Sequence, residues 1–278
     1  MNPKLNFITL CAILFCTWNA FAGTKLPKDN IRIGIYNIRG ENPNDGVNLW
    51  KFRKDSLSKI VLSYNIEIVG LQEAKQFQLE DILARTNYKY VGKEGLLNPI
   101  IYNTDRFEVI EWNMFWFSES MEPNVKGWDA RYERYCTWAK FKDKKTKREF
   151  YFFNTHFDHR GLVAKTNSAK LISSEAKKIA GNAPIILAGD MNSWISTEAY
   201  RILASNFSDA KVIAPEERVY GPIGTAHNFG GVHPVQIDYI FVNDKVKVHT
   251  YRVIDEAYEN NFYPSDHYPL YIDATIKK

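Results

Sequence analysis

Ile185-Ile-Leu-Ala-Gly-Asp190-Met-Asn192 follows Pro184 as an apolar run without alternation and closes on a carboxylate and an amide. Such a run reads as a strand buried on both faces, and Gly189 reads as the turn that ends it. Two polar side chains are thereby fixed at the mouth of a buried strand. An ionised Asp190 is costly there unless it is hydrogen-bonded, paired or close to a metal, so its position calls for partners elsewhere in the chain. On its own, a strand ending in Gly-Asp is more often a plain turn.

Just before this strand, Val163 to Ala180 places Leu171, Ile172, Ala176 and Ile179 on one face of a helix that Gly181-Asn182 ends. Earlier still, Tyr135–Phe141 and Phe150–Asn154 read as strands of a hairpin whose solvated end is the charged run Lys142 to Arg148. Ser118 to Arg134 has no clear period and reads as a long surface loop. Tyr88–Val91, Ile100–Asn103 and Phe107–Phe117 read as strands, after a short helical pattern around Phe77 to Leu83. Ile31 to Arg39 alternates as a strand, Trp50 to Tyr64 has the apolar spacing of an amphipathic helix, and Ile66 to Leu71 is a strand running into Gln72-Glu73. Beyond Asn192, a helix near Ser196 is expected, then strands near Ala210 and over Ile237–Val242, Val246–Ile254 and Tyr268–Ile276. Strands dominate with helices between some of them, which suggests two mixed sheets facing each other with helices outside.

The length of 278 residues, 45% hydrophobic and 14% aromatic, suffices for a large α/β core and excludes a disordered chain. Lys4, the apolar run Leu5 to Trp18 and Ala20-Phe21-Ala22 have the pattern of a signal peptide cut after Ala22. We therefore expect residues 1–22 to be a leader and 23–278 a single exported domain, periplasmic or secreted. Cys16 also admits a lipoprotein reading, but Phe15 stands where that cleavage prefers a small residue. No later stretch has the length needed to span a bilayer. Loss of Lys4, the leader's only charge, lowers the formal charge from +4 to +3, too mild for a protein that coats nucleic acid through phosphate contacts alone. Cys136 remains as the one cysteine of the mature chain, so no internal disulfide is available.

Several strands end in functional side chains: Asn37, Gln72-Glu73, Asn154-Thr-His156-Phe-Asp158, Asp190-Met-Asn192, Asp238 and Ser265-Asp266-His267. Each has a bland reading of its own, Asn37 as a turn cap, Glu73 as a helix cap and His156 as a satisfied core histidine. Together and in this order they resemble the endonuclease/exonuclease/phosphatase superfamily, the deoxyribonuclease-I-like fold, over nearly all of the mature chain. The resemblance implies a four-layered α/β sandwich and divalent-metal-dependent hydrolysis of phosphoester bonds. It implies Glu73 as the principal ligand of Mg²⁺, with Mn²⁺ as the alternative ion, Asn37 beside it and Asp266 at a second metal position. It further implies Asp190 orienting or deprotonating the attacking water, and Asn192 and His156 donating to the phosphate. Asp238 pairs with His267 in this reading, and either Asp190 or His267 is the base. Arg134 is a candidate for the phosphate oxygens, with Asp158, His159 and Arg160 behind it, although a solvated surface role is the commoner one for such arginines. The aromatics Trp112, Phe115, Trp116, Phe117, Trp128 and Trp138 are expected in the core.

Gln236-Ile-Asp238-Tyr stands where inositol polyphosphate 5-phosphatases carry Trp-Cys-Asp-Arg, which weakens a phosphoinositide reading. The overall look is that of exported bacterial members. A phosphodiesterase, nuclease-like or acting on a small or lipid diester, is the first expectation, working as a monomer on nucleic acid, nucleotide or lipid headgroup. The alternatives are a phosphomonoesterase acting on a sugar or inositol phosphate, or a non-catalytic phospholigand-binding module.

Overall fold

The computed structural model describes residues 25–230, 234–258 and 262–277, so the leader and its Ala22 cleavage point lie outside the described residues. In chain order the elements are β1 (Ile31–Asn37), α1 (Trp50–Ser63), β2 (Ile68–Gln72), α2 (Gln76–Arg85), β3 (Tyr88–Val91), β4 (Ile100–Asn103) and β5 (Phe107–Trp116). They continue with β6 (Tyr135–Asp143), β7 (Glu149–His156), α3 (Leu162–Ala180), β8 (Ile185–Asp190), α4 (Glu198–Asn206), β9 (Ser208–Asp209) and α5 (Ala210–Ile213). The last are β10 (Val219–Tyr220), β11 (Asp238–Val242), β12 (Val246–Val253) and β13 (Leu270–Ile276). Among the described residues no helix is long and apolar enough to cross a membrane.

One sheet has the order β10-β12-β13-β1-β2-β4-β3 and the other β5-β6-β7-β8-β11-β9. Both are mixed: β1–β2 and β7–β8 pair in parallel, while β1–β13 and β8–β11 are antiparallel. The sheets face each other across Ile33, Ile35 and Ile272 from the first and Phe152, Ile186 and Ile240 from the second. Helices α1 and α2 lay Leu57, Val61, Leu79 and Ile82 on the outer face of the first sheet. On the far side α3 and α4 cover the second with Ile172, Ala176 and Leu203. The result is four layers, as expected. Strand β8 has the unbroken apolar run because its alternate residues meet different cores, Ile186 and Ala188 inward and Ile185 and Leu187 against the helices. Each of the buried isoleucine and leucine side chains contributes about 1.5–3 kcal/mol.

Some local expectations change. Gly189 does not end its strand; it lies inside β8 at φ 147°, and a Cβ there would stand 2.0 Å from the Thr155 carbonyl oxygen of the neighbouring strand. The glycine therefore permits close pairing of β7 with β8, and the turn begins beyond Asp190. The strand expected near Ala210 shrinks to β9, because the Asp209 carboxylate accepts from the Lys211 N–H at 2.9 Å and starts α5 instead. Arg53, surrounded in sequence by polar helix positions, is fully buried. As expected, Phe115, Trp116, Phe117 and Trp138 are core residues, but Trp112 is exposed.

Candidate active site

Strand pairing alone brings three of the anticipated residues into one row. Asp190 at the end of β8 stands opposite His156 of β7 on one side and Asp238 of β11 on the other. The first sheet contributes Asn37 at the end of β1, opposite Gln72, with Glu73 next in the chain. Glu73, Arg39 and Asn192 have left-handed backbones at φ 59°, 58° and 46°, a conformation that costs energy in a residue with a Cβ and is found concentrated at functional sites.

Asn154 ties the sheets together where these rows meet. Its amide donates to the carbonyls of Leu71, Asn98 and Pro99 at 2.9, 3.1 and 3.1 Å, and its oxygen accepts from Gln72 Nε2 at 2.7 Å. Gly70 makes room for it, since a Cβ at that position would lie 2.4 Å from Asn154 Oδ1. His156, two residues along β7, is thus held in fixed relation to Glu73.

Asn37 bridges the sheets a second time, its Nδ2 donating to Asp190 Oδ2 at 3.1 Å and to Glu73 Oε1 at 3.3 Å. The other Glu73 oxygen accepts from the Gly40 N–H at 3.0 Å. Asp190 Oδ2 lies 3.4 Å from His156 Nε2 and 4.0 Å from His267 Nε2, while its Oδ1 accepts from the Asn192 N–H at 2.8 Å. His267 Nδ1 shares a 2.9 Å hydrogen bond with Asp238 Oδ2. Asn192 donates its side-chain amide to the Phe157 carbonyl at 3.0 Å. Ser265 fastens the last loop, its hydroxyl donating to the Asn37 carbonyl at 2.6 Å.

These contacts set the charges. Burial and the neighbouring Asp238 charge raise the Asp190 carboxyl to about 7 against the opposing pull of His267 and its own hydrogen bonds. For His267, burial works to lower the pKa, but the charge and hydrogen bond of Asp238 outweigh it and lift the imidazole to about 10. Burial keeps His156 well below its ordinary value, with Arg134 and His267 adding to the effect. Near neutral pH His267 is therefore a cation and His156 a neutral imidazole.

Asp190, Asp238 and His267 bring ligand-type atoms within 4.8 Å of one another. A protonated His267 already bonded to Asp238 makes this trio an ion pair in character rather than a ligand set. The donor set of Glu73, Asn37 and Asp266 suits a hard cation better, being made of oxygen groups. Burial and the nearby Glu73 charge push the Asp266 carboxyl up despite His267, Arg39 and Arg53, a like-charge crowding that a divalent cation relieves.

Beside Glu73 and His156 opens a cavity of about 1020 Å³. Arg134 lines it with its side chain only 15% exposed, not as a solvated surface arginine, and lies 3.7 Å from Asp158. Asp158 itself is structural: it accepts the N–H groups of Arg131, Tyr132, Arg160 and Gly161. His159 joins the cavity wall, and Arg160 is exposed.

Other contributors had no role assigned from the sequence, although the resemblance implies that the loop from Gly221 through His227 lies near the site. Arg53 donates to the carbonyls of Ile38, Arg39, Asn48 and Pro264, binding the Asn37 loop to the segment before Ser265. Thr225 Oγ1 accepts from the Asp238 N–H at 3.2 Å, and the next residues Ala226 and His227 pair with the 266–267 backbone. His227 stacks on Tyr268 with ring centroids 3.8 Å apart. A helical Arg among lysines and a His in a Gly-rich loop carry no periodicity that marks them as buried.

The model of the Endonuclease/Exonuclease/phosphatase family matches residues 16–267. The structure is similar to that of an endonuclease/exonuclease/phosphatase from Bacteroides vulgatus, with a TM-score of 0.85 and 34% identity, covering 90% of this chain and 100% of that one. A mannosyl-6-phosphatase from Bacteroides thetaiotaomicron gives a TM-score of 0.81 and 31% identity, covering 88% of this chain and all 100% of that one. An uncharacterized protein of Acanthamoeba polyphaga mimivirus is 23% identical over 250 residues, 80% of this chain and 91% of that protein. Fold and centre together define a phosphoester hydrolase built on an α/β sandwich. The chain belongs to the endonuclease/exonuclease/phosphatase family.

Proposed function

We propose that this protein is a divalent-metal-dependent phosphomonoesterase, exported and monomeric, that acts on a small phosphorylated carbohydrate. The observation that carries the reading is the placement of Glu73 and His156 on the wall of an open cleft that Arg39, Lys75, Arg131 and Arg134 also line. Several cations around one cleft suit the two charges of a monoester better than the single charge of a diester. The similarity to a mannosyl-6-phosphatase supports the same choice and moves the weight from the diester favoured by sequence to the monoester. The retained Asn37, Glu73, His156, Asp190, Asn192, Asp238 and His267 speak against a module that only binds.

In this reading Asp190 is the base that takes a proton from the attacking water, because His267 is already protonated near neutral pH. His156, neutral, donates its Nε2–H to a phosphoryl oxygen, and the second amide hydrogen of Asn192 is free to do the same. The His267 cation, oriented by Asp238, stabilises the charge that grows on the phosphoryl oxygens. Glu73, Asn37 and Asp266 would hold Mg²⁺ or Mn²⁺, and the chemistry such an ion supplies when bound is polarisation of the phosphoryl group and charge for the departing alkoxide.

The test is a turnover screen on residues 23–278 with sugar phosphates, a chromogenic monoester and a chromogenic diester, each with Mg²⁺, Mn²⁺ or chelator. We expect monoester hydrolysis to exceed diester hydrolysis, to stop in chelator, and to fall by about a hundredfold or more in Asp190→Asn. Faster diester cleavage would return the assignment to a phosphodiesterase, and near-normal turnover by Asp190→Asn would remove that residue from the chemistry.

A further inference from the structure

We propose that Tyr132 is a platform for the sugar ring of the substrate, a reading that rests on the phosphomonoesterase assignment above and specifies its substrate. Tyr132 shares the cavity wall with Glu73 and His156, yet remains 55% exposed and takes no part in the core. Its ring stacks on His159, with centroids 5.7 Å apart and planes inclined by 26°. The guanidinium groups of Arg131 and Arg134 lie 5.8 and 5.9 Å from its centroid.

The platform is built, not incidental. Asp158 Oδ2 accepts the backbone N–H groups of both Arg131 and Tyr132 at 3.0 Å, and Asp158 follows His156 by two residues on the extension of β7. The aromatic ring is therefore referenced to the same strand that presents His156. Among the described residues Arg131 has no ion-pair partner, while Arg134 turns its Nε toward Asp158 at 3.7 Å and lines the cavity beside the ring.

Ring and donors together match a pyranose. Its C–H face lies on an aromatic surface, while its hydroxyls take the fork of an arginine. The remaining lining is mixed: Asn98, Lys126 and Glu133 offer polar groups that suit a polyol, and Leu96, Leu97 and Tyr135 offer apolar surface.

Calorimetric binding to the Asp190→Asn protein with Mg²⁺ tests the platform without turnover, with hexose 6-phosphate, glycerol 3-phosphate and a nucleoside 5′-monophosphate as probes. Adding Tyr132→Ala is expected to weaken hexose phosphate about tenfold more than glycerol phosphate, which has no ring to stack. Adding Tyr132→Phe instead is expected to retain the preference. Equal losses for the two ligands overturn the platform, as does tighter binding of the nucleotide than of hexose phosphate. The phosphatase reading is judged separately by wild-type turnover. Ring-dependent binding without hydrolysis of any monoester would sink that reading alone and leave Tyr132 as a sugar phosphate binding residue.

Discussion

His267 and Asp238 are worth considering as one unit, because neither charge is tolerable alone in so enclosed a place. The hydrogen bond of 2.9 Å and the charge of Asp238 hold His267 protonated at a pKa of about 10 against a burial effect of opposite sign. In Asp238→Asn burial is opposed only by the charges of Asp190 and Asp266, and the imidazole pKa is expected to fall well below about 10. Imidazole resonances followed by NMR through a pH titration of the metal-free protein measure this directly; an unchanged pKa would mean that Asp238 does not govern the histidine. Turnover near neutral pH is expected to drop about a hundredfold in the same variant. At this scale the sequence was informative where a polar residue closes an apolar strand, as at Asn37, Glu73, His156 and Asp190, or opens one, as at Asp238. It gave no role to Arg53 and Tyr132, and it placed the loop of Thr225 and His227 near the site only by resemblance, since their roles depend on what lies across from them in space rather than on their neighbours in the chain.

Elements matter here as carriers that end together. Strand β8 was readable from its composition, since only a strand between two cores has so unbroken an apolar run. The part played by Gly189 was not, because the reason for it is the Thr155 carbonyl of another strand. The loop segments Arg131–Arg134 and Asp158–Gly161 offer a test of local anchoring. Burial alone would raise the Asp158 carboxyl, but the N–H groups of Gly161, Tyr132, Arg160 and Arg131 bring it down to about 2. The folded pKa lies below the unfolded value, so the carboxylate's contribution is complete above 3.8 and is lost as pH falls toward about 2. At neutral pH we expect Asp158→Asn to cost about 2 kcal/mol. Denaturant unfolding of wild type and variant across that range is expected to show the gap closing with acid, whereas a gap independent of pH would assign the cost to packing.

Viewed whole, the molecule is a sandwich whose two sheets supply different chemistry at one edge. The first brings oxygen groups suited to a hard cation in Glu73, Asn37 and Asp266, and the second brings Asp190, Asp238 and His156. Asn154 and Asn37 are among the side chains that span the gap. Two facing mixed sheets were foreseeable from the succession of strands, but which sheet holds which strand was not, because β10, β12 and β13 return to the sheet of β1. That return also brings His267, near the C-terminus, against Asp190.

The central claim is that both sheets act on one phosphate. Calorimetric titration of orthophosphate into wild type and Glu73→Gln, with and without Mg²⁺, tests it most directly. We predict that Mg²⁺ tightens phosphate binding to wild type by about tenfold or more and that Glu73→Gln abolishes this gain. Phosphate affinity indifferent to Mg²⁺ in the wild-type protein would contradict the account.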